Sequence, residues 1–248
     1  MSKLIEALNK CTVKGDTLFL PSITDGPLEN YQEVRKALLN AGAKYKRNTF
    51  VFPSDAQPFI DRLTGGESVN IKQEFQFFTT PKELAERMVD LAELHEHDGL
   101  GFGSILEPSA GQGAIVNAIH EATGYTSVVG YELMPENRAI LKKIHAFNII
   151  GDDFLRADES SKYDRIIANP PFAKNQDIDH IRKMYAVLAQ GGVLVTISST
   201  SWTFGSQKKQ AQFREWLDEI GAYQEELPAD TFKESGTSVK TMLLVIKK

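Results

Sequence analysis

The chain has 248 residues, with 28 Lys and Arg against 33 Asp and Glu, a formal net charge of −5 and 42% hydrophobic residues. Those values fit a soluble folded protein of one large domain, or one domain with a small partner, and exclude a collagen, a disordered tail and a membrane channel. Taken alone, the acidic balance argues against a nucleic-acid partner. The single cysteine, Cys11, can form neither an internal disulfide nor a thiolate zinc site, which points to a cytoplasmic setting. No run approaches ~18 uninterrupted apolar residues, so no membrane partner is expected. The opening MSKLIEALNK carries Glu6 and does not read as a signal peptide.

In chain order, TVKGDTLFL reads as one strand ending at Pro21, and Leu28 to Ala41 as a helix stopped by Gly42. TFVF reads as a second strand, followed by a short helix with Phe59, Ile60 and Leu63 that ends at Gly65-Gly66. Residues 1–74 thus form a small α+β domain, a lid or a substrate contact, with ten basic and nine acidic residues. Its one basic spot is Lys44, Lys46 and Arg47 around Tyr45.

From Pro81 onward, across a second domain of residues 75–248, helices and strands alternate. The helices are Lys82–Leu94, GAIVNAIHEA, PENRAILKKIH, DIDHIRKMYAVLA closed by Gly191-Gly192, and Gln207–Ile220. The strands are SILEP, SVVGYEL, NIIGDDF, YDRIIANPP, VLVTIS and TMLLVIK. This alternation predicts a parallel sheet covered on both faces, with ligands at the carboxyl ends of the strands.

Each strand end carries chemistry. After SIL comes Glu107-Pro108-Ser109-Ala110-Gly111-Gln112-Gly113. The glycines permit a tight turn or close approach of a ligand. The dinucleotide pattern fails, because its third glycine would fall at Val116. A carboxylate beside such a loop suits an ammonium better than a pyrophosphate. After the next strand Glu132, 19 residues beyond Gly113, is placed for the hydroxyls of a ribose. Asp152-Asp153-Phe154 pairs acceptors with a ring, which suits an adenine. In Asn169-Pro170-Pro171-Phe172 the prolines stiffen the backbone and remove two donors. The Pro170 carbonyl and the Asn169 side-chain oxygen can then accept from one NH₂ group, with Phe172 offering a face to its ring.

With FFTTP (77–81), LEPSAGQG (106–113), YEL (131–133), GDDFL (151–155) and NPPF (169–172) in this order, the chain resembles class I S-adenosylmethionine-dependent methyltransferases. It is most similar to the gamma class of amino-group DNA methyltransferases, in a compact form like those of phages and mobile elements. The resemblance implies a Rossmann-like α/β fold: a mostly parallel seven-stranded sheet with an antiparallel C-terminal strand and helices on both faces. It implies S-adenosyl-L-methionine as the cofactor, contacted by Thr80, Pro81, Glu107, Pro108, Ser109, Ala110, Gly111, Gly113, Glu132, Leu133, Asp152, Asp153, Phe154 and Asn169. Within that set Glu107 would hold the methionine ammonium, Thr80 its carboxylate, Glu132 the ribose and Asp153 the adenine amino group, with Phe154 flanking the ring. Asn169, Pro170, Pro171 and Phe172 would be catalytic, acting on the N6 amino group of a flipped adenine in DNA.

Further substrate contacts are expected from Phe172, Phe232, Trp202, Lys208 and Lys209, the last three in a loop reading SWTFGSQKKQ, and from Lys44, Lys46 and Arg47. Phe232 reads equally well as a core residue. No metal is expected, since His95 and His97 are two apart and share no helix face. Asp177, Asp179 and His180 read as capping and positioning residues. Restriction-linked enzymes of that class usually carry a large target-recognition domain after the catalytic one; here the roughly 50 residues after SSTSW are expected to complete the sheet, so modest, salt-sensitive DNA affinity and loose sequence preference are expected, in a monomer or weak dimer. An amino group in RNA or protein, or a catalytically idle binding protein, stand as alternatives.

Overall fold

The computed structural model describes residues 3–21, 28, 30–52, 55–67, 79–94, 103–124, 126–233 and 240–248. It divides into two compact units, Met1–Phe77 and Phe78–Lys248.

The smaller unit contains α1 (Lys3–Leu8), β1 (Thr12–Lys14), β2 (Thr17–Phe19), α2 (Tyr31–Asn40), β3 (Lys44–Lys46), β4 (Thr49–Val51) and α3 (Gln57–Thr64). The strands form an antiparallel sheet in the order β1-β2-β4-β3. Two readings change here. TVKGDTLFL is a hairpin, because Gly15 at φ 58° turns the chain between β1 and β2. The basic spot is itself a strand, β3, joined to β4 by Arg47 and Asn48 at φ 47° and 64°. Positive φ at both central residues is the geometry of a type I′ turn, whose twist matches the flanking strands. Leu18 and Phe50 form one buried sheet face, and Leu8, Val34, Leu38, Phe59 and Leu63 supply the helical side of the core.

The larger unit contains α4 (Lys82–Leu91), β5 (Ile105–Glu107), α5 (Ala114–Thr123), β6 (Val128–Tyr131), α6 (Pro135–Leu141), β7 (Phe147–Gly151), β8 (Tyr163–Ala168), α7 (Gln176–Val187), β9 (Leu188–Ser199), α8 (Ser201–Phe204), α9 (Lys208–Glu219), β10 (Tyr223–Leu227) and β11 (Thr241–Lys247). Its sheet runs β10-β11-β9-β8-β5-β6-β7. Only β11 opposes the common direction, pairing antiparallel with both β9 and β10. Helices α4 and α5 cover one face through Leu84, Met88, Ile115 and Ile119. Helices α7 and α9 cover the other through Ile181, Met184, Phe213 and Leu217.

Helix ends differ from the sequence pattern, α4 stopping at Leu91 rather than Leu94 and α6 at Leu141 rather than His145. Helix α7 ends at Val187, before the Gly191-Gly192 pair, and β9 begins at once. Residues 189–192 loop out of register, since Tyr163 pairs with Leu188 but Arg165 pairs with Val193. Strand β10 was not expected: YQEEL is polar because it lies on the sheet edge, where charges are the rule. SWTF is helical rather than loop.

Candidate functional site

The parallel strands β8, β5, β6 and β7 are neighbours. Their carboxyl ends therefore bring Asn169, Glu107, Glu132 and Asp152-Asp153 into one row, although these residues span more than sixty positions of sequence.

Glu107 ends the fully buried β5. Its Oε1 accepts from the Ser109 amide at 3.0 Å. Its Oε2 has no partner among the described residues, and neither has the buried Ser109 hydroxyl. Burial drives the Glu107 carboxyl well above the usual carboxylate range, against the pull of the Ser109 amide, and the Glu132 charge adds to the rise. The turn beyond it cannot carry side chains freely. Gly113 has φ 87°, and a Cβ there would lie 2.4 Å from Ile144 Cδ1. An ordinary residue would both strain the backbone and overlap a core methyl.

Glu132 is bound from several sides. It accepts from the Gly111 amide at 2.7 Å, the Met134 amide at 2.8 Å and Asn137 Nδ2 at 3.2 Å. Burial raises its carboxyl, and these three bonds oppose the rise. Its first work is thus to clamp the glycine turn against the end of β6. A carboxylate accepts about four bonds, which leaves room for about one more. Leu133 beside it is exposed.

At the end of β7, Asp152 accepts from the Asp153 amide at 2.8 Å. Asp153 caps the following 3₁₀ turn by accepting from the Leu155 amide at 2.9 Å, and its other oxygen lies 3.3 Å from Arg156 Nε. Phe154 is only 3% exposed. Its ring packs 5.4 Å from Tyr131 and 5.9 Å from His180, with Lys183 Nζ 5.5 Å above it. The expected adenine wall is therefore mainly a core ring, with little surface left for a ligand.

Asn169 follows β8. Its Nδ2 donates to the buried Thr80 Oγ1 at 3.2 Å, which orients the amide. Thr80-Pro81 leads into α4, so the TP segment and the NPPF segment meet in space. Phe172 is half-buried against the α4–α5 core. Lys174 and Asn175 follow at φ 54° and 59°, a left-handed pair that reverses the chain into α7. Asp177, fully buried, accepts from both the amide and the hydroxyl of Ser199 at 2.8 Å. Asn175 Nδ2 donates to Gln207 at 2.9 Å, and its oxygen accepts from Gln210 at 3.1 Å. The local pattern suggests a capping role for Asp177; its partner on β9 lies 22 residues away and carries no local signal.

Other expected substrate contacts fall elsewhere. Trp202 is 1% exposed, edge-on to Phe213, with its indole N–H donating to Ser198 at 3.0 Å. It is a core residue, and the reading of it as a substrate contact is corrected: the helix α8 turns it inward and Phe204 outward. Phe232 is 2% exposed within the α4–α5 core, matching its alternative reading. Lys209 is drawn to Asp179 at 2.6 Å and to the Asn175 carbonyl at 2.8 Å, whereas Lys208 is exposed. Lys44, Lys46 and Arg47 belong to the smaller unit. Phe77, Phe78, His95 and His97 lie outside the described residues. Among the described residues no group of three or more His, Cys, Asp or Glu could hold a metal. No helix among them is long and apolar enough to cross a membrane.

No protein-family model matches the chain. Solved structures match the fold. The methyltransferase subunit of a type I restriction-modification system from Streptococcus thermophilus superposes with a TM-score of 0.60 at 22% identity, over 69% of this chain and 45% of that one. A protein of Listeria monocytogenes described as a class I S-adenosylmethionine-dependent methyltransferase gives 0.56 at 13% identity, over 77% and 66%. The chain has the class I methyltransferase fold. S-adenosylmethionine is the cofactor this fold implies, and the orphaned buried Oε2 of Glu107 fits its ammonium. Among curated proteins, the modification methylase CviBIII of Paramecium bursaria Chlorella virus NC1A is 36% identical over 104 residues, 41% of this chain and 27% of that protein. The type II methyltransferase M.HincII of Haemophilus influenzae is 31% identical over 108 residues, 44% and 19%. The matched stretches thus span less than a third of these relatives.

Proposed function

We propose that the chain transfers the methyl group of S-adenosylmethionine to the N6 amino group of adenine in DNA. The observation that carries this reading is the row of strand ends: a buried, under-bonded carboxylate at Glu107 on β5, next to an Asn-Pro-Pro-Phe segment at the end of the adjacent strand β8. The similarity to modification methylases supports DNA as the substrate.

When bound, the cofactor supplies an electrophilic methyl on a sulfonium. Glu107 Oε2 would take the ammonium and Glu132 would keep one acceptor position for a ribose hydroxyl. Asp153 or Asp152 would receive the adenine amino group. On the target side, Asn169 and the Pro170 carbonyl accept the two hydrogens of the exocyclic amino group, and Phe172 supports the ring of the flipped base. Held so, the nitrogen would turn its lone pair out of the ring plane toward the methyl carbon. Its N–C bond would form as the C–S bond breaks, leaving S-adenosylhomocysteine, and the proton then lost from the nitrogen would pass to solvent. Positioning supplies most of the rate.

The test is incubation of the purified chain with methyl-labelled cofactor and DNA, RNA or protein, followed by nucleoside analysis. Label recovered as N6-methyladenosine's deoxy form in DNA is the expected result. Label only in RNA or protein, or on cytosine, overturns the reading.

A further inference from the structure

The strand register of the smaller unit sorts its side chains onto two faces. In an antiparallel pair, directly opposed residues share a face. One row across the sheet is Val13, Leu18, Phe50 and Tyr45, the side that carries the buried core. The two flanking rows lie on the other face. They are Lys14, Thr17, Val51 and Lys44, and then Thr12, Phe19, Thr49 and Lys46.

None of those eight residues is buried. Three are lysines, one on the outer strand β1 and two on the outer strand β3. None is acidic. The nearest carboxylate in sequence, Asp16 in the hairpin turn, accepts from Thr17 Oγ1 at 2.7 Å. The one aromatic ring on the face is Phe19, 40% exposed although it sits on an inner strand. Tyr45, the ring within the basic spot, turns the other way: it tilts against Phe50 at 5.2 Å and donates to Asn48 at 3.3 Å.

We propose that this face of the sheet binds single-stranded nucleic acid, with Phe19 stacking a base and Lys14, Lys44 and Lys46 meeting phosphates. Cations along both edges of a sheet match a polyanion that crosses it. An exposed ring among lysines and threonines matches an unpaired base, whose face a duplex would conceal. An acidic peptide would use the lysines but has no need of the ring. The inference stands on the smaller unit alone and does not depend on the methyl-transfer reading.

The test is fluorescence anisotropy of the full chain with a dye-labelled DNA strand of about 20 nucleotides, without cofactor. The double variant Lys44→Glu/Lys46→Glu should lower affinity at least tenfold at about 50 mM salt, and two lost phosphate contacts should reduce the log–log salt slope by about 1.4. Phe19→Ala should weaken binding several-fold with the slope unchanged, and Phe19→Trp should restore it. Wild-type affinity and slope in the double variant overturn the proposal. So does an unchanged Phe19→Ala, or duplex bound as tightly as single strand. Circular dichroism and the protease resistance of the smaller unit guard against misfolding: every variant should match the wild type in both. A chain that binds the strand yet transfers no methyl group refutes the proposed activity and leaves this surface standing.

Discussion

The two halves of the strand-end row are held by different means. At β5 and β6 the acids are fixed by backbone amides, and Glu107 is left with an oxygen that has no partner among the described residues. At β8 the loop is braced by side chains: Asn169 by Thr80, Asp177 by Ser199, Asn175 by Gln207 and Gln210. Each half leaves one buried carboxylate oxygen without a partner among the described residues, Glu107 Oε2 at the end of β5 and Asp177 Oδ1 behind the β8 loop. On the proposed reading the first is the oxygen a cofactor ammonium would meet, while the braced β8 loop would need little rearrangement to act.

The sharpest way to break this contrast is Asn169→Ala. Methyl transfer should fall by 10² to 10³-fold or more, the scale on which a positioned hydrogen-bonding group acts, while calorimetry shows cofactor affinity nearly unchanged. Parallel loss of both would dissolve the division between halves. Glu107→Gln should do the reverse, weakening the cofactor by on the order of 100-fold, as when a buried charge loses its partner. The ligand-free protein should melt no lower than wild type, because a buried carboxylate has been removed. Lower melting would mean that Glu107 is a structural acid.

Asp177→Ala should cost about 1–3 kcal/mol of stability by removing the acceptor of the Ser199 amide, the Ser199 hydroxyl keeping its partner Ser201 at 2.8 Å, and should lower kcat more than it alters cofactor affinity. An unchanged kcat would show that the NPPF loop does not need its brace.

The smallest effects concern pH, and they have opposite signs. The Glu107 carboxyl is raised in the folded protein, so the stability it contributes is present at low pH and is lost as pH climbs above the ordinary carboxylate value of 4.5. The melting advantage of Glu107→Gln over wild type should therefore grow from pH 5 to 8. His180 is lowered by burial from 6.5 to about 4, so its contribution is present above 6.5 and is lost as pH falls toward 4. His180→Leu should narrow the gap in melting temperature between pH 7 and pH 5; a gap of unchanged size would contradict the assignment.

The sheet and the strand-end row were legible because their signals are local. A glycine turn after a hydrophobic strand and a proline pair after another declare themselves within a few residues. The rest depended on tertiary partners. The polarity of YQEEL conceals an edge strand, KYK looks like a charged loop until β4 pairs with it, and Trp202 stands among polar neighbours yet faces the core. Nothing near Asp177 announces Ser199. The face of the small sheet needed the register, because alternation alone does not say which lysines share a side with Phe19.

Asn175 has a further consequence. Its backbone is left-handed, which glycine, asparagine or aspartate tolerate best. Its amide donates to Gln207 and accepts from Gln210 and Ser201, which aspartate or glycine could not do together. The two demands intersect at one residue type. Position 175 thus admits little but asparagine out of twenty residue types, and a chain that departs from it there must rewrite 207 and 210 as well.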